Sequence, residues 1–295
     1  LCLYVEKSIR KGFKDNKMLV IGTVPFEIEI IDGKAELKEK KIKINNLTLP
    51  VTIGTTALLA AAIHVLSTLG KPLPHVILSG DKGDGKGTKR LFSYLKDCNL
   101  TRETVICGHY MMPYVDEFKK IFPKLRKNAK FIIADAGMMY AAKAAGLARN
   151  LDIFTPDAGE LAFLADKDAT HPAYVKKVLF EIDTEEMESL IKQAYLEKNL
   201  PCFSLVKGEK DLIVKDGNII ASVSEPSIEA MEAIGGTGDT LVGILSSLIE
   251  ADFPFEKASV LAAKINRIAG KLAHPTPATS VSEIVKFIPK AIEEA

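Results

Sequence analysis

Short apolar runs separated by helix-length segments recur along almost the whole chain, and this alternation narrows the fold more than any other feature. Met18–Gly22 (MLVIG) is apolar throughout and ends on glycine, as expected of a strand buried on both faces of a parallel sheet. Val76–Leu78, Thr104–Cys107, Phe131–Ala134 and Ile153–Thr155 repeat that pattern, with helical stretches between them such as Gly159–Leu164. Cys202–Val206, Leu212–Val214 and Asn218–Val223 are further strands, and Thr240–Ile249 and Glu256–Ala273 are apolar helices. Strand alternating with helix predicts an α/β protein with a mostly parallel sheet and helices on both faces. Phe26–Ile31 and Lys41–Ile44 alternate instead, joined through the hairpin-type signal Asp32-Gly33, so residues 26–46 read as a small β excursion. No repeat or linker interrupts the chain, and 1–295 reads as one domain.

Composition excludes several classes. The 295 residues carry 39 Lys+Arg and 38 Asp+Glu, a net charge of +1, and lack the basic excess of a dedicated nucleic-acid binder. Residues 45–70 contain no Asp, Glu, Lys or Arg, yet the threonines, Pro50 and His64 favour a helix buried in an α/β core over a membrane span. Leu1–Lys7 is too short and too quickly charged for a signal peptide. Cys2, Cys98, Cys107 and Cys202 are widely spaced with no C-x-x-C pair, so reduced thiols in a cytoplasmic protein are expected.

The strongest local chemistry lies in Gly235-Gly236-Thr237-Gly238-Asp239, directly before the apolar run from Thr240. Glycines opening a helix leave backbone N–H groups free to meet an anion, and the helix dipole adds positive potential there. The Lys-Ser/Thr pair of a Walker loop is missing after the last glycine. Asp239 is either an N-terminal cap or a base beside a phosphate site, and one residue can serve as both. Asp135, following a buried strand, either touches substrate or caps the next helix.

These residues resemble the ribokinase-like superfamily of sugar and vitamin kinases. G-G-T-G-D before an apolar helix is similar to its signature, and Met18–Gly22 to its opening strand. Gly54–Gly70 resembles its first helix, and Gly80-Asp81-Lys82-Gly83-Asp84-Gly85 its G-D-x-x-x-G turn. Thr155-Pro156-Asp157-Ala158-Gly159-Glu160 resembles its T-P-N-x-x-E segment, and Val206–Val214 its later strand pair. The resemblance implies a three-layer α/β/α sandwich with a small N-terminal β flap. It implies an anion hole at Gly236, Thr237 and Gly238, with Asp239 activating a substrate hydroxyl. It places nucleotide along Lys207, Gly208 and Gly235, and magnesium near Glu160 through water. ATP or ADP with Mg2+ are the implied cofactors. Glu27, Gly54, Thr55 and His109 are the candidate contacts to a small-molecule substrate.

The departures matter. Glu27 stands where sugar kinases carry an aspartate, the first helix lacks their asparagine, and Asp157 replaces the asparagine of T-P-N. An ordinary furanose therefore fits poorly. The C-terminal half also resembles the nucleotide-dependent NAD(P)H-hydrate dehydratases, in G-G-T-G-D, T-P-x-x-G-E and the tail from Ala269 to Ala291. That branch's G-P-G-L-G loop is replaced by Cys107-Gly108-His109-Tyr110-Met111-Met112. The expected function is an ATP-dependent small-molecule kinase, with the hydrate dehydratase as the alternative. Asp239 together with intact glycines weighs against a third reading, a non-catalytic nucleotide sensor. No nucleic-acid or membrane partner is expected, and a homodimer is one assembly open to the chain. His64 reads as core, and His75, His171 and His274 have no metal-ligand spacing.

Overall fold

The computed structural model describes residues 17–169 and 184–295. Eleven strands form one sheet, and we number elements in chain order. They are β1 (Met18–Val24), β2 (Ile31–Lys38), β3 (Lys41–Ile44), β4 (Leu47–Pro50), β5 (His75–Gly80), β6 (Glu103–His109), β7 (Ala129–Ala134), β8 (Ile153–Phe154), β9 (Phe203–Val206), β10 (Asp211–Lys215) and β11 (Asn218–Val223). Their spatial order is β11-β10-β9-β8-β7-β6-β1-β5-β2-β3-β4. The central strands β5, β1, β6, β7, β8 and β9 pair in parallel. Antiparallel β10 and β11 close one edge, and the β2–β4 meander closes the other.

Side chains along each central strand alternate between two cores. Met18 and Val20 of β1 enter one, while Leu19 and Ile21 enter the other. The first core is covered by α1 (Thr55–Thr68), α7 (Thr237–Glu250), α8 (Phe255–Ala273) and the short C-terminal helices α9 (Val281–Ile284) and α10 (Ile288–Glu294). The second is covered by α2 (Lys86–Asp97), α3 (Val115–Asn128), α4 (Gly137–Ala144), α5 (Ala158–Ala165) and α6 (Thr184–Leu196). This is the three-layer arrangement expected from the strand–helix alternation.

Helix α1 explains the uncharged stretch. Its residues from Thr55 to Ile63 are all buried, because it is packed among the sheet, α7 and the C-terminal helices. A helix apolar on every side belongs inside a protein. Among the described residues no helix is long and apolar enough to cross a membrane.

Two expectations change. The hairpin does not turn at Asp32-Gly33: both residues lie inside β2, and Phe26–Ile30 is not a strand. The chain reverses at Glu39-Lys40, where Lys38 pairs with Lys41, and again at Asn45-Asn46. Asp32 is satisfied in the strand by His75 Nε2 and the Tyr94 hydroxyl, each 2.6 Å away. Cys98 and Cys107 are free thiols, but Cys202 is disulfide-bonded, which corrects the expectation of reduced thiols throughout.

Candidate active site

The chain leaves β1 toward β5 on one side and later returns to place β6 on the other, so a crevice opens between β1 and β6 at their carboxyl ends. Ligands of open α/β sheets bind at such a switch point. Thr23, His109, Asp135, Thr155 and Lys207 stand at or just past the ends of β1, β6, β7, β8 and β9. The amino ends of α1 and α7 bring Gly54, Thr55 and Asp239 to the same place.

The α7 terminus is built as an anion cradle. Gly236 is its N-cap with φ 98°, ψ −8°, a left-handed conformation that needs no Cβ, and no side chain caps the helix. Thr237 Oγ1 donates to Ile234 O at 3.1 Å, folding the loop beneath the helix. Asn266 of α8 braces the first turn: its Nδ2 donates to Thr237 O (3.1 Å) and its Oδ1 accepts from Thr240 Oγ1 (2.6 Å). Gly235 lies against Ile53. Lys207 runs over Gly238, with its Nζ 3.8 Å from where a Cβ would stand. Bare first-turn N–H groups beside an ammonium fit the phosphates of a nucleotide.

Asp239 sits in the first turn of α7, buried, and does not cap its own helix. Its Oδ2 accepts the Gly54 N–H at 2.7 Å, and its Oδ1 lies 3.0 Å from His109 Nε2. The capping reading of this residue is therefore set aside. His109 is fully buried. Its Nε2 also lies 3.1 Å from Asp135 Oδ2, and its Nδ1 is 2.9 Å from Thr55 Oγ1. Thr55 Oγ1 in turn donates to Thr23 O at 2.8 Å.

Asp135 does not cap α4, whose N-cap is Ala136. Its Oδ1 accepts from Lys207 Nζ and Thr155 Oγ1, both at 2.7 Å. Burial favours its neutral form, but the Lys207 and His109 charges outweigh that and hold the carboxyl well below the usual range. Burial disfavours charge on Lys207 as well, and Asp135 and Glu160 reverse it, raising the ammonium above its ordinary value. Burial likewise pushes His109 down, and its two carboxylate partners lift it to about 9.

Glu160 is brought to the cluster at 3.8 Å from Lys207 Nζ. Its Oε1 accepts from the Tyr140 hydroxyl (2.8 Å), and its Oε2 accepts the Asp157 N–H (2.9 Å) in a capping box that starts α5. Burial pushes its carboxyl up to about 7, against the pull of Lys207. With both oxygens engaged and an ammonium nearby, direct ligation of a divalent cation does not fit. The three ligand-type atoms of His109, Asp135 and Asp239 lie within 4.8 Å of one another.

Four expected residues stand elsewhere or act differently, and two of them, Thr55 and His109, were expected as substrate contacts but are buried with their polar atoms engaged by Thr23, Asp135, Asp239 and each other. Glu27 is exposed and pairs with Lys82 at 3.0 Å, apart from the Asp239 cluster. Gly208 is tied into the β9–β10 turn: its N–H donates to Asp211 (3.3 Å) and its carbonyl accepts from Arg267 (3.0 Å). The Gly80–Gly85 turn is filled from within, because the Asp81 carboxylate accepts the Gly83, Gly85 and Thr88 N–H groups. His171 lies outside the described residues. Sequence reasoning missed Tyr140, Asn266 and Arg267, which carry no local signal. It flagged Asp135 only by its place after a strand.

The NAD(P)H-hydrate dehydratase family model matches residues 113–290. An uncharacterized protein of Methanocaldococcus jannaschii is 43% identical over 238 residues, covering 80% of this chain and 98% of that protein. A bifunctional NAD(P)H-hydrate repair enzyme of Hyperthermus butylicus is 40% identical over 91 residues, covering 30% of this chain but 16% of that enzyme. Among solved structures, a phosphofructokinase-2 variant from Escherichia coli matches with TM-score 0.56 at 14% identity, covering 94% of this chain and 99% of that one. An ADP complex of Bacillus subtilis pyridoxal kinase matches with TM-score 0.53 at 15% identity, covering 85% of this chain and 89% of that one. The fold is thus that of the ribokinase-like kinases, and the chain belongs to the NAD(P)H-hydrate dehydratase family.

Proposed function

We propose that the protein is a nucleotide-dependent dehydratase that returns hydrated NAD(P)H to NAD(P)H. The observation that carries the reading is the placement of Asp239 in the first turn of α7, behind the Gly236–Gly238 cradle and beside Lys207. Family membership supplies the reaction class. The kinase expected from the sequence gives way to its alternative, because likeness to kinase structures at this identity speaks for the fold alone.

The two reactions share their first chemical need. Hydroxide is a poor leaving group and phosphate a good one, so a nucleotide can drive dehydration by phosphorylating the hydroxyl that departs. Atoms balance as hydrate plus ATP giving NAD(P)H, ADP and phosphate, or with ADP giving AMP. Phosphates rest on the bare N–H groups of Thr237 and Gly238, and Lys207 adds positive charge. Asp239 accepts the proton of the attacking hydroxyl. Magnesium carried in with the nucleotide would supply charge to neutralise the phosphates, and Glu160 would be the residue to hold it through water.

Product analysis tests this. Purified protein, hydrated NADH or NADPH, magnesium and ATP or ADP should regenerate absorbance at the reduced-nicotinamide band, strictly with nucleotide. Accumulation of a stable phosphorylated metabolite with no recovery of NAD(P)H would return the site to a kinase.

A further inference from the structure

We infer that His109 carries protons on both ring nitrogens and acts as a fixed internal cation that positions Asp239. The catalytic part of this inference rests on the proposed dehydratase reading; the protonation does not.

The hydrogen-bond chain determines where the protons lie. Thr23 O can only accept, so the single hydroxyl proton of Thr55 points to it. Thr55 Oγ1 is then an acceptor toward His109, and Nδ1 must bear a hydrogen. Nε2 faces Asp239 Oδ1 at 3.0 Å and Asp135 Oδ2 at 3.1 Å. Asp135 takes its Oδ1 hydrogens from Lys207 and Thr155, and Asp239 takes its Oδ2 hydrogen from Gly54. A bare Nε2 lone pair would meet two carboxylate oxygens with no proton between them. A proton on Nε2 satisfies both.

The charge count agrees. The groups facing His109 are Asp239 on α7, Asp135 after β7, and the Tyr110 ring at 4.5 Å. Lys207 reaches it through Asp135, with Glu160 behind Lys207. Asp135 and Asp239 against Lys207 and an imidazolium balance, whereas a neutral ring leaves a buried excess of negative charge that Glu160, when ionised, only increases. The same three residues could be imagined around a metal ion. However, Lys207 already neutralises Asp135, and the ring has no exposed edge for an open coordination position. The shift of His109 to about 9 has the same sign.

The consequence falls on Asp239. Held by the Gly54 N–H on one oxygen and by a cation on the other, its carboxylate is fixed in one orientation. His109 is a positioning residue, acting through the base.

Histidine-selective 15N labelling of the full chain tests the protonation, with the His109 signal assigned by its loss in His109→Asn. The expected spectrum shows both ring nitrogens protonated at neutral pH, converting only near pH 9. A neutral tautomer at neutral pH, or a stoichiometric metal bound to the ring, would overturn the inference. This arm reads out even if no hydrate turnover is found, which separates its failure from that of the dehydratase reading. Where turnover exists, His109→Asn should lower kcat about 10- to 100-fold with nucleotide KM little changed, and abolish the alkaline limb of the wild-type profile. A proportional loss with an unaltered pH profile means a structural role only. Thr55→Val, which keeps shape but removes the Nδ1 acceptor, should move that limb to lower pH; no movement counts against the inference if His109→Asn fails to fold.

Discussion

The Gly54 N–H and the Asp239 carboxylate meet at 2.7 Å across 185 positions of sequence, so the backbone entering α1 fixes the base carried by α7. Gly54 adopts φ 77°, ψ −146°, a region essentially closed to other residues at a cost of order 1–3 kcal/mol. An added Cβ would meet the Tyr110 ring at 3.4 Å, an ordinary contact, so the cost is one of backbone conformation. Gly54→Ala should therefore lower the melting temperature and cut kcat further than stability alone explains. Calorimetry alongside turnover checks this, and an active, strained variant would contradict it.

Asp239→Asn retains an acceptor for the Gly54 N–H but loses the base. Its amide NH2 must face the His109 Nε2–H, so we expect a folded but less stable protein that still binds nucleotide, with turnover down by roughly 10²–10⁴. Titration calorimetry with nucleotide, paired with the hydrate assay, separates the two effects. Full activity in the variant would remove Asp239 from the chemistry.

Lys207→Met tests the buried ion pair and the cradle together. Breaking such a pair by removing one partner costs about 3–5 kcal/mol, because Asp135 keeps its charge in a buried site. Nucleotide affinity should fall roughly tenfold or more, about 1.4 kcal/mol. Urea unfolding measures the first and titration calorimetry the second; unchanged affinity would detach Lys207 from the phosphates.

Nucleotide should stabilise the protein by mass action. At a free concentration about 100 times Kd, a ligand that binds only the folded state adds about 2.7 kcal/mol. Thermal scans with ATP or ADP and magnesium would show the shift. A flat response across millimolar nucleotide argues against the cradle.

Glu160 gives a pH signature with a defined sign. Its carboxyl lies at about 7 in the fold against an ordinary 4.5, so the native state binds the extra proton between those values. The stabilisation from this group is complete below about 4.5 and lost as pH rises through about 7. Glu160→Gln should flatten the stability profile in that window, as read by denaturant midpoints across pH. A slope identical to wild type would contradict the assignment.

The parallel core was legible because a strand buried on both faces must be apolar throughout, as Met18–Gly22 is. The flap was misread for the opposite reason. Asp32-Gly33 has turn chemistry, but β2 pairs along β5 and its Asp32 finds His75 and Tyr94 there, so tertiary pairing overrides the local signal. Asp239 was legible through its glycines. The Asp135–Lys207–Glu160 cluster was not, because those residues meet only when β7, β8 and β9 align and no local period encodes that adjacency.

The site draws on segments from Thr23 to Asp239, with at least one residue at the end of each of five strands. Such non-local closure pays its chain entropy before any contact rewards it. The stretch matching the family, 113–290, contains the cradle and Asp239 but neither Gly54 nor His109, the two groups that grip the carboxylate. A nascent chain thus exposes Gly54 and His109 well before the Gly235–Asp239 loop whose carboxylate they hold. An oriented Asp239 therefore exists only once both ends of this stretch of chain have been joined through the sheet.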